Sequence, residues 1–394
     1  MTAHPKRIFY VLPHLEDSVF EDRRYHRIYR ECWLVNRSCQ EGWDCRLYLP
    51  SHVQSSLTLE DDIRTRLVPT DARKPHNRFG HTSRALLSEI NEQRPDLVVF
   101  KGLGYRLAHW LVLRSRHRFR IGFIAAGINA EPLLPFADYV LAETPQQIDG
   151  CFAVAQAAGR AGILPKLPAP APSRPDAEKI FDIINIGSFT PNKNQRALLP
   201  LSTRYRVALL GDGPLWREIH DMTTSCHGSI FMPGNLPREE VAKALAQSRL
   251  MVHTALQEGL PRVVMEAFAH GVPVIGSKDA MPGAFEDGVQ GLLVKQEHIL
   301  DAARELLSDP SRLQQMGEAA RAYARAHCSE AAVWAAAQKM YDTVLQQPPV
   351  FRGTPIDRAR LLADVAKRNT VEWLARYYRK SGAKKLILRL KSTP

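Results

Sequence analysis

Short apolar runs alternate along the chain with stretches whose apolar residues recur at helical spacing. In the first half the runs are Ile8–Leu12, Cys45–Leu49, Leu97–Phe100, Ile121–Ala125, Tyr139–Ala142 and Ile163–Leu164. In the second half they are Ile183–Ile186, Val207–Leu210, Ile230–Met232, Leu250–His253, Val274–Ile275 and Leu292–Val294. Each is too short for an ordinary helix and too continuously apolar for a strand with one wet face. They predict strands buried on both faces, hence parallel sheets covered by helices. Between the two sets lies Pro165-Lys166-Leu167-Pro168-Ala169-Pro170-Ala171-Pro172, which neither a helix nor a central strand tolerates.

The expectation is therefore an α/β protein of two Rossmann-like domains with an interdomain cleft and C-terminal helices. The first domain is placed at residues 1–165, a Pro-rich linker at 166–178, the second domain at 179–345, and a helical segment with a basic tail at 346–394. Ile299 to Leu345 reads as helix, Pro348-Pro349 and Pro355 interrupt it, and Arg358 to Tyr378 resumes it with Leu361, Leu362, Val365, Trp373 and Leu374 near helical spacing. Open parallel sheets bind ligands outside the carboxyl ends of their strands, so the chemistry is expected in the cleft.

Composition sharpens this in two ways. The 394 residues are enough for two cores, and no stretch is apolar over the length of a membrane span. Met1, Lys6 and Arg7 lead straight into a short apolar run that lacks the form of a secretory signal. The six cysteines show no metal-binding spacing and read as reduced thiols, so a cytoplasmic location is expected. The net charge of +12 is concentrated: nine Lys/Arg against one Glu from Val365 to Pro394, and six against one Asp from Arg64 to Arg84. Such patches suit an anionic partner, phospholipid or a lipid-linked pyrophosphate; no nucleic-acid module is recognisable, and no nucleic acid is expected. The tail Lys384-Lys385-Leu386-Ile387-Leu388-Arg389-Leu390-Lys391 mixes leucines with cations as interfacial segments do, which points to peripheral attachment at the inner face of the plasma membrane.

The strongest local signal is Glu258-Gly259-Leu260-Pro261-Arg262-Val263-Val264-Met265-Glu266, running on to Gly271. Pro261 suits a first helical residue and Gly271 a left-handed stop, giving a helix of about ten residues that follows a strand. Free amides of its first turn, near Val263 and Val264, would seat a diphosphate against the positive end of the helix dipole. Glu258 would reach a group beyond the phosphates, Glu266 would accept from a vicinal diol, and Gly259 would let the backbone approach a sugar. Two glutamates eight apart recur by chance; Gly-Leu-Pro between them and the strand before them make the signal. Gly211-Asp212-Gly213 fails as a dinucleotide fingerprint, since Trp216 stands where its third glycine belongs.

Residues Glu258 to Val274, followed by Phe285-Glu286-Asp287-Gly288-Val289-Gln290-Gly291-Leu292-Leu293-Val294, resemble the donor-site signature of glycosyltransferase family 4. Three further segments resemble it in order: Ile186 to Asn194, Leu210-Gly211-Asp212-Gly213-Pro214, and Phe231-Met232-Pro233-Gly234. The resemblance implies the GT-B fold, a nucleoside-diphosphate sugar as donor, a glycan or lipid-linked acceptor and retention of anomeric configuration. It assigns catalysis to Glu258 and Lys193. Donor binding falls to Gly187, Ser188, Lys193, Gly211, Gly213, Pro233, Gly234, Gly259, Leu260, Pro261, Arg262, Val263, Val264 and Glu266. Ser188 stands where the family usually has arginine, with Lys193 and Arg262 left to supply charge. No Asp-x-Asp pair is present, so transfer without metal or other cofactor is expected.

On the acceptor side the family's glycine-rich loop is missing: Leu12-Pro13-His14-Leu15-Glu16-Asp17-Ser18 stands in its place. His14, Gly127 and Asn129 are the acceptor-side candidates, with His76, His81 and His109 as further histidines of that half. Two alternatives stay open: another GT-B enzyme such as a nucleotide-sugar epimerase, and a non-catalytic subunit that binds sugar nucleotide.

Overall fold

Two wholly parallel sheets, built as the apolar runs predict, organise the computed structural model, which describes residues 6–13, 28–51, 65–71, 80–125, 131–168, 177–225 and 228–380. The first sheet comprises β1 (Arg7–Val11), β2 (Asp44–Ser51), β3 (Thr65–Pro69), β4 (Leu97–Lys101), β5 (Arg120–Ile124), β6 (Tyr139–Ala142) and β7 (Ala161–Ile163). Its order is β3-β2-β1-β4-β5-β6-β7. The second comprises β8 (Phe181–Ile186), β9 (Val207–Leu210), β10 (Ile230–Gly234), β11 (Ser248–His253), β12 (Val274–Ser277) and β13 (Gly291–Val294). Its order is β10-β9-β8-β11-β12-β13.

The central strands explain the unbroken apolar runs. Ile8 lies between Cys45 and Leu97, and all three are fully buried. Among the strands of the described residues, β3 is the one the apolar runs miss: Thr-Arg-Leu-Val-Pro at a sheet edge carries too few apolar residues to announce itself. It lies inside the basic stretch Arg64–Arg84, and Arg66 is paired there with Glu89 at 2.9 Å.

Helix ends follow local chemistry. Ser83 accepts from the Leu86 amide at 3.2 Å, Asp309 from Arg312 at 2.9 Å and Ser329 from Ala332 at 3.2 Å, while Thr144 and Gln147 form a capping box. Helix Pro310–His327 packs on the Arg262–Ala269 helix, where a β-carbon added to Gly317 would come 2.5 Å from the Gly271 carbonyl oxygen.

The expected domain boundary at residue 345 falls too late. Helix Glu330–Leu345 returns to the first sheet: Val333, Ala337, Met340, Tyr341 and Val344 pack with Ile8, Tyr10 and Leu34. The Tyr341 hydroxyl meets Tyr10 at 2.6 Å and Ser38 at 2.9 Å. The next segment stays there, with Phe351 against Phe136 and the Arg368 guanidinium donating to the Gly104 carbonyl at 2.6 Å. Ala- and Leu-rich helices carry no mark of which core they join, so sequence periodicity gave no warning. The chain thus crosses between the domains twice, through the linker and again near Cys328.

Candidate functional site

Each sheet reverses its strand order at one point, between β1 and β4 in the first and between β8 and β11 in the second. Diverging connections open a crevice at the carboxyl ends of such strand pairs.

In the second sheet the crevice is lined by the segment after β8 and the segment after β11. Thr254 Oγ1 donates to the Lys193 carbonyl at 2.8 Å, the Leu256 amide to Asn192 at 2.8 Å, and Asn192 Nδ2 to the Gln257 carbonyl at 2.9 Å. This stitching brings Lys193 and Glu258 into a direct ion pair. Burial alone would raise the Glu258 carboxyl, but His253 and Lys193 outweigh it and hold its pKa at about 2. His253 ends β11, with Nε2 3.8 Å from Glu258 Oε1. Burial, opposed by Glu258 and reinforced by Lys193, lowers the pKa of its imidazole.

Glycines clear the floor of the crevice. Lys193 packs its methylenes over Gly187, 3.6 Å from where a β-carbon would be. Gly211, at φ +127°, allows no side chain: a β-carbon would lie 2.1 Å from the Gly187 carbonyl oxygen. At Gly213 the same atom would lie 2.6 Å from the Phe189 carbonyl oxygen. Ser188 is exposed, and its carbonyl accepts from Gln195 Nε2 at 3.1 Å. Pro233 and Gly234 end edge strand β10, and the Gly234 carbonyl accepts from the Gly211 amide at 2.9 Å. Trp216 lies beside Gly234, its buried Nε1 without a partner in the described residues and its ring 4.7 Å from that of His220.

The helix after Glu258 differs from expectation in its first turn. It runs Arg262–Ala269, eight residues rather than about ten, with Pro261 as its extended cap and not its first helical residue. The Val264 amide closes onto the Pro261 carbonyl at 3.1 Å, so that donor is used by the turn. Gly271, at φ +69°, supplies the expected left-handed stop. Leu260 and Val263 lean on the domain core, whereas Gly259 is exposed. A β-carbon at Gly259 would sit 3.9 Å from Nε2 of Gln147, a residue of the first domain, so this loop faces the cleft.

Glu266 is one turn further on. Its burial raises its pKa, opposed by Arg262 and then Arg238. Arg262, one helical turn away, therefore acts on Glu266. Arg238 in turn feels Tyr29 of the first domain, which places Glu266 near the same cleft.

The first domain contributes a buried charge network that residue patterns did not single out. Arg30 bridges Glu31 at 2.9 Å and Glu143 at 3.4 Å, Lys101 holds Glu31 at 2.6 Å, and Lys166 holds Glu143 at 2.5 Å. Arg30 also donates to the Pro165 carbonyl at 3.2 Å. The network thus fastens the start of the linker to the carboxyl ends of β4 and β6. Glu131 nearby accepts from the Gly104 amide at 2.8 Å and Leu133 at 3.2 Å, and burial pushes its pKa up to about 7. These acids sit singly between apolar runs, a pattern that surface residues share. His14, Gly127 and Asn129 lie outside the described residues, as does His76. His81 is buried, and His109, in helix Arg106–Arg114, has its pKa lowered to about 4 by burial and by Arg368 and Arg106.

Comparison with known proteins bears on this crevice. Residues 172–323 match the family described as "Glycosyl transferases group 1". The chain is 34% identical over 150 residues to a GDP-mannose-dependent alpha-mannosyltransferase of Corynebacterium glutamicum, covering 36% of this chain and 35% of that protein. It is 29% identical over 158 residues to the N-acetyl-alpha-D-glucosaminyl L-malate synthase of Bacillus anthracis, covering 37% and 40%. The chain therefore spans well under half the length of the curated relatives it matches. In fold it is similar to the sucrose-phosphate synthase of Thermosynechococcus elongatus (TM-score 0.67, 16% identity, 86% of this chain and 99% of that one). It is likewise similar to Anabaena HepE in complex with UDP and glucose (TM-score 0.60, 15% identity, 87% and 100%).

Proposed function

We propose that the chain, whose residues 172–323 match the group 1 glycosyl transferases, moves a sugar from a nucleoside diphosphate to a hydroxyl of a glycan or lipid-linked acceptor. The observation that carries this reading is the Lys193–Glu258 pair at the β8/β11 crevice, immediately before the helix Arg262–Ala269. A lysine and a carboxylate joined at the mouth of a glycine-floored crevice provide what a sugar diphosphate needs: a cation for phosphate and an acceptor for sugar hydroxyls.

In this reading the diphosphate lies between Lys193 Nζ and the Val263 amide, over Gly187 and Gly211. The ribose hydroxyls reach Glu266, and the base lies toward Pro233, Gly234 and Trp216. As the bond between the anomeric carbon and the β-phosphate oxygen breaks, the electron pair goes to the phosphate, where Lys193 and the helix dipole meet the growing charge. The acceptor oxygen bonds to the anomeric carbon on the face the phosphate leaves, and its proton passes to a phosphate oxygen. Configuration is retained, and Glu258 positions the sugar. The relatives' names make GDP-mannose and a nucleoside-diphosphate N-acetylglucosamine the donors to try first, with UDP-glucose completing the panel.

The test is release of nucleoside diphosphate from this donor panel with and without a glycan or lipid-linked acceptor. Release that depends on acceptor supports transfer. Conversion of the donor without any acceptor would favour an epimerase, and no conversion with any donor would favour a binding subunit.

A further inference from the structure

His253 is the one histidine buried within the donor crevice, and the mechanism above leaves it without work. Its side chain is 2% exposed, and neither Nδ1 nor Nε2 has a hydrogen-bond partner in the described residues. Leaving a buried polar group unpaired is costly, so an imidazole kept there calls for a partner in some other state of the site. The candidate is at hand. Nε2 lies 3.8 Å from Glu258 Oε1, beyond a hydrogen bond, and that same oxygen is the one Lys193 holds.

Lys193 cannot serve both Glu258 and a bound diphosphate. Phosphate oxygens carry more charge than one carboxylate and compete for the same ammonium. Resting on the donor-site reading above, we propose that His253 is a positioning residue that takes over Glu258 when bound diphosphate draws Lys193 away. The handover needs only a small approach of Oε1 to Nε2–H. It keeps the carboxylate aimed at the sugar while the lysine turns to the leaving phosphate. Without ligand the ring acts on Glu258 only across 3.8 Å, because Lys193 holds the oxygen that Nε2–H would bond.

The charges that act on the ring are few. Lys193 opposes its protonation and Glu258 favours it. The flanking strands add none: His253 pairs with Gly276 of β12, and on β8 the neutral Asn185 sends its amide to the Val252 carbonyl at 2.7 Å. Removing the lysine from Glu258 should therefore raise the imidazole pKa, whether a ligand or a substitution does it.

The direct test needs no substrate. The histidine Cε1–H resonances are titrated by NMR in the wild type and in Lys193→Met, with His253→Gln identifying the His253 signal. The expected result is a midpoint about one pH unit or more higher in Lys193→Met. An unchanged or lower midpoint would overturn the handover. Adding GDP or UDP to the wild type should reproduce the rise. A rise in Lys193→Met with no response to either nucleotide would support the His253–Glu258 coupling and count against the donor reading instead. Turnover gives a second arm: His253→Phe should lower kcat about tenfold with nucleotide Kd nearly unchanged, and His253→Gln, which keeps a donor near Nε2, should regain most of it. Equal losses in the two variants, both folded, would mean that His253 only fills space.

Discussion

Lys193 and Glu258, 65 residues apart in the chain, share an ion pair that closes the mouth of the β8/β11 crevice. Their side chains are about four-fifths buried, at 20% and 19% exposure, so water screens the pair little. The pair itself carries no net charge, and in the function proposed above a diphosphate would enter by exchanging one partner of the lysine for another.

Glu258→Gln removes the charge and keeps the shape. Turnover with the right donor and acceptor is expected to fall about 100-fold or more, with nucleoside diphosphate affinity no weaker, because Lys193 is released for phosphate. Parallel measurement of kcat and of nucleotide Kd by calorimetry checks this. Unchanged turnover would remove Glu258 from the reacting region.

The network around Arg30 is buried within the first domain. Glu143→Gln leaves Lys166 without its carboxylate and Arg30 with Glu31 alone in a buried setting, and the loss is expected to be about 3–5 kcal/mol in urea unfolding. A loss within the range of an exposed pair, under about 1 kcal/mol, would mean that water reaches the network.

Glu131 predicts a pH dependence of the opposite sign to that of Glu258. Its folded pKa, about 7, is above the ordinary value of 4.5. The folded state therefore holds the proton more tightly, and this contribution is fully present below pH 4.5 and lost as pH rises through 7. Unfolding free energies at pH 5 and pH 8 should differ more in the wild type than in Glu131→Gln. Equal differences would show that Glu131 is ionised throughout. For Glu258, held at about 2, stability is present above 4.5 and lost as pH falls through 2.

The basic stretches lead to a fourth expectation. Among the described residues no helix is long and apolar enough to cross a membrane. Part of the Arg64–Arg84 stretch is spent within the fold, on the Arg66–Glu89 pair; the tail beyond Lys380 lies outside the described residues. Co-sedimentation is expected with vesicles containing phosphatidylglycerol and not with phosphatidylcholine alone, and truncation after Lys380 should weaken it. Equal sedimentation with both lipids would end the idea of attachment through charge.

What could be read in the sequence divides by physical cause. The central strands of the second sheet are legible because strands buried on both faces spell continuous apolar runs, and edge strand β10 shows through Ile230-Phe231-Met232 although it is only half-buried. The helix after Glu258 was visible because Pro261 and Gly271 bracket it, though the cap lay one residue off. Glu258 and Lys193 were singled out, but not their pairing, since nothing in spacing shows that residues 65 apart meet. In the sequence His253 does no more than end an apolar run. Its value comes from its place at the carboxyl end of β11, a property of strand order. The Arg30 network was invisible for the same reason: four separate segments supply it. Helix Glu330–Leu345 was assigned to the wrong core because its apolar face fits either.

The most direct measurement is a crystal structure of the protein grown with GDP or UDP. The expected result is the β-phosphate in hydrogen-bond reach, about 3 Å, of Lys193 Nζ and the Val263 amide, with the ribose at Glu266 and His253 Nε2 turned onto Glu258. Nucleotide bound at the carboxyl ends of β1 and β4, or Lys193 still on Glu258 with ligand in place, would contradict it.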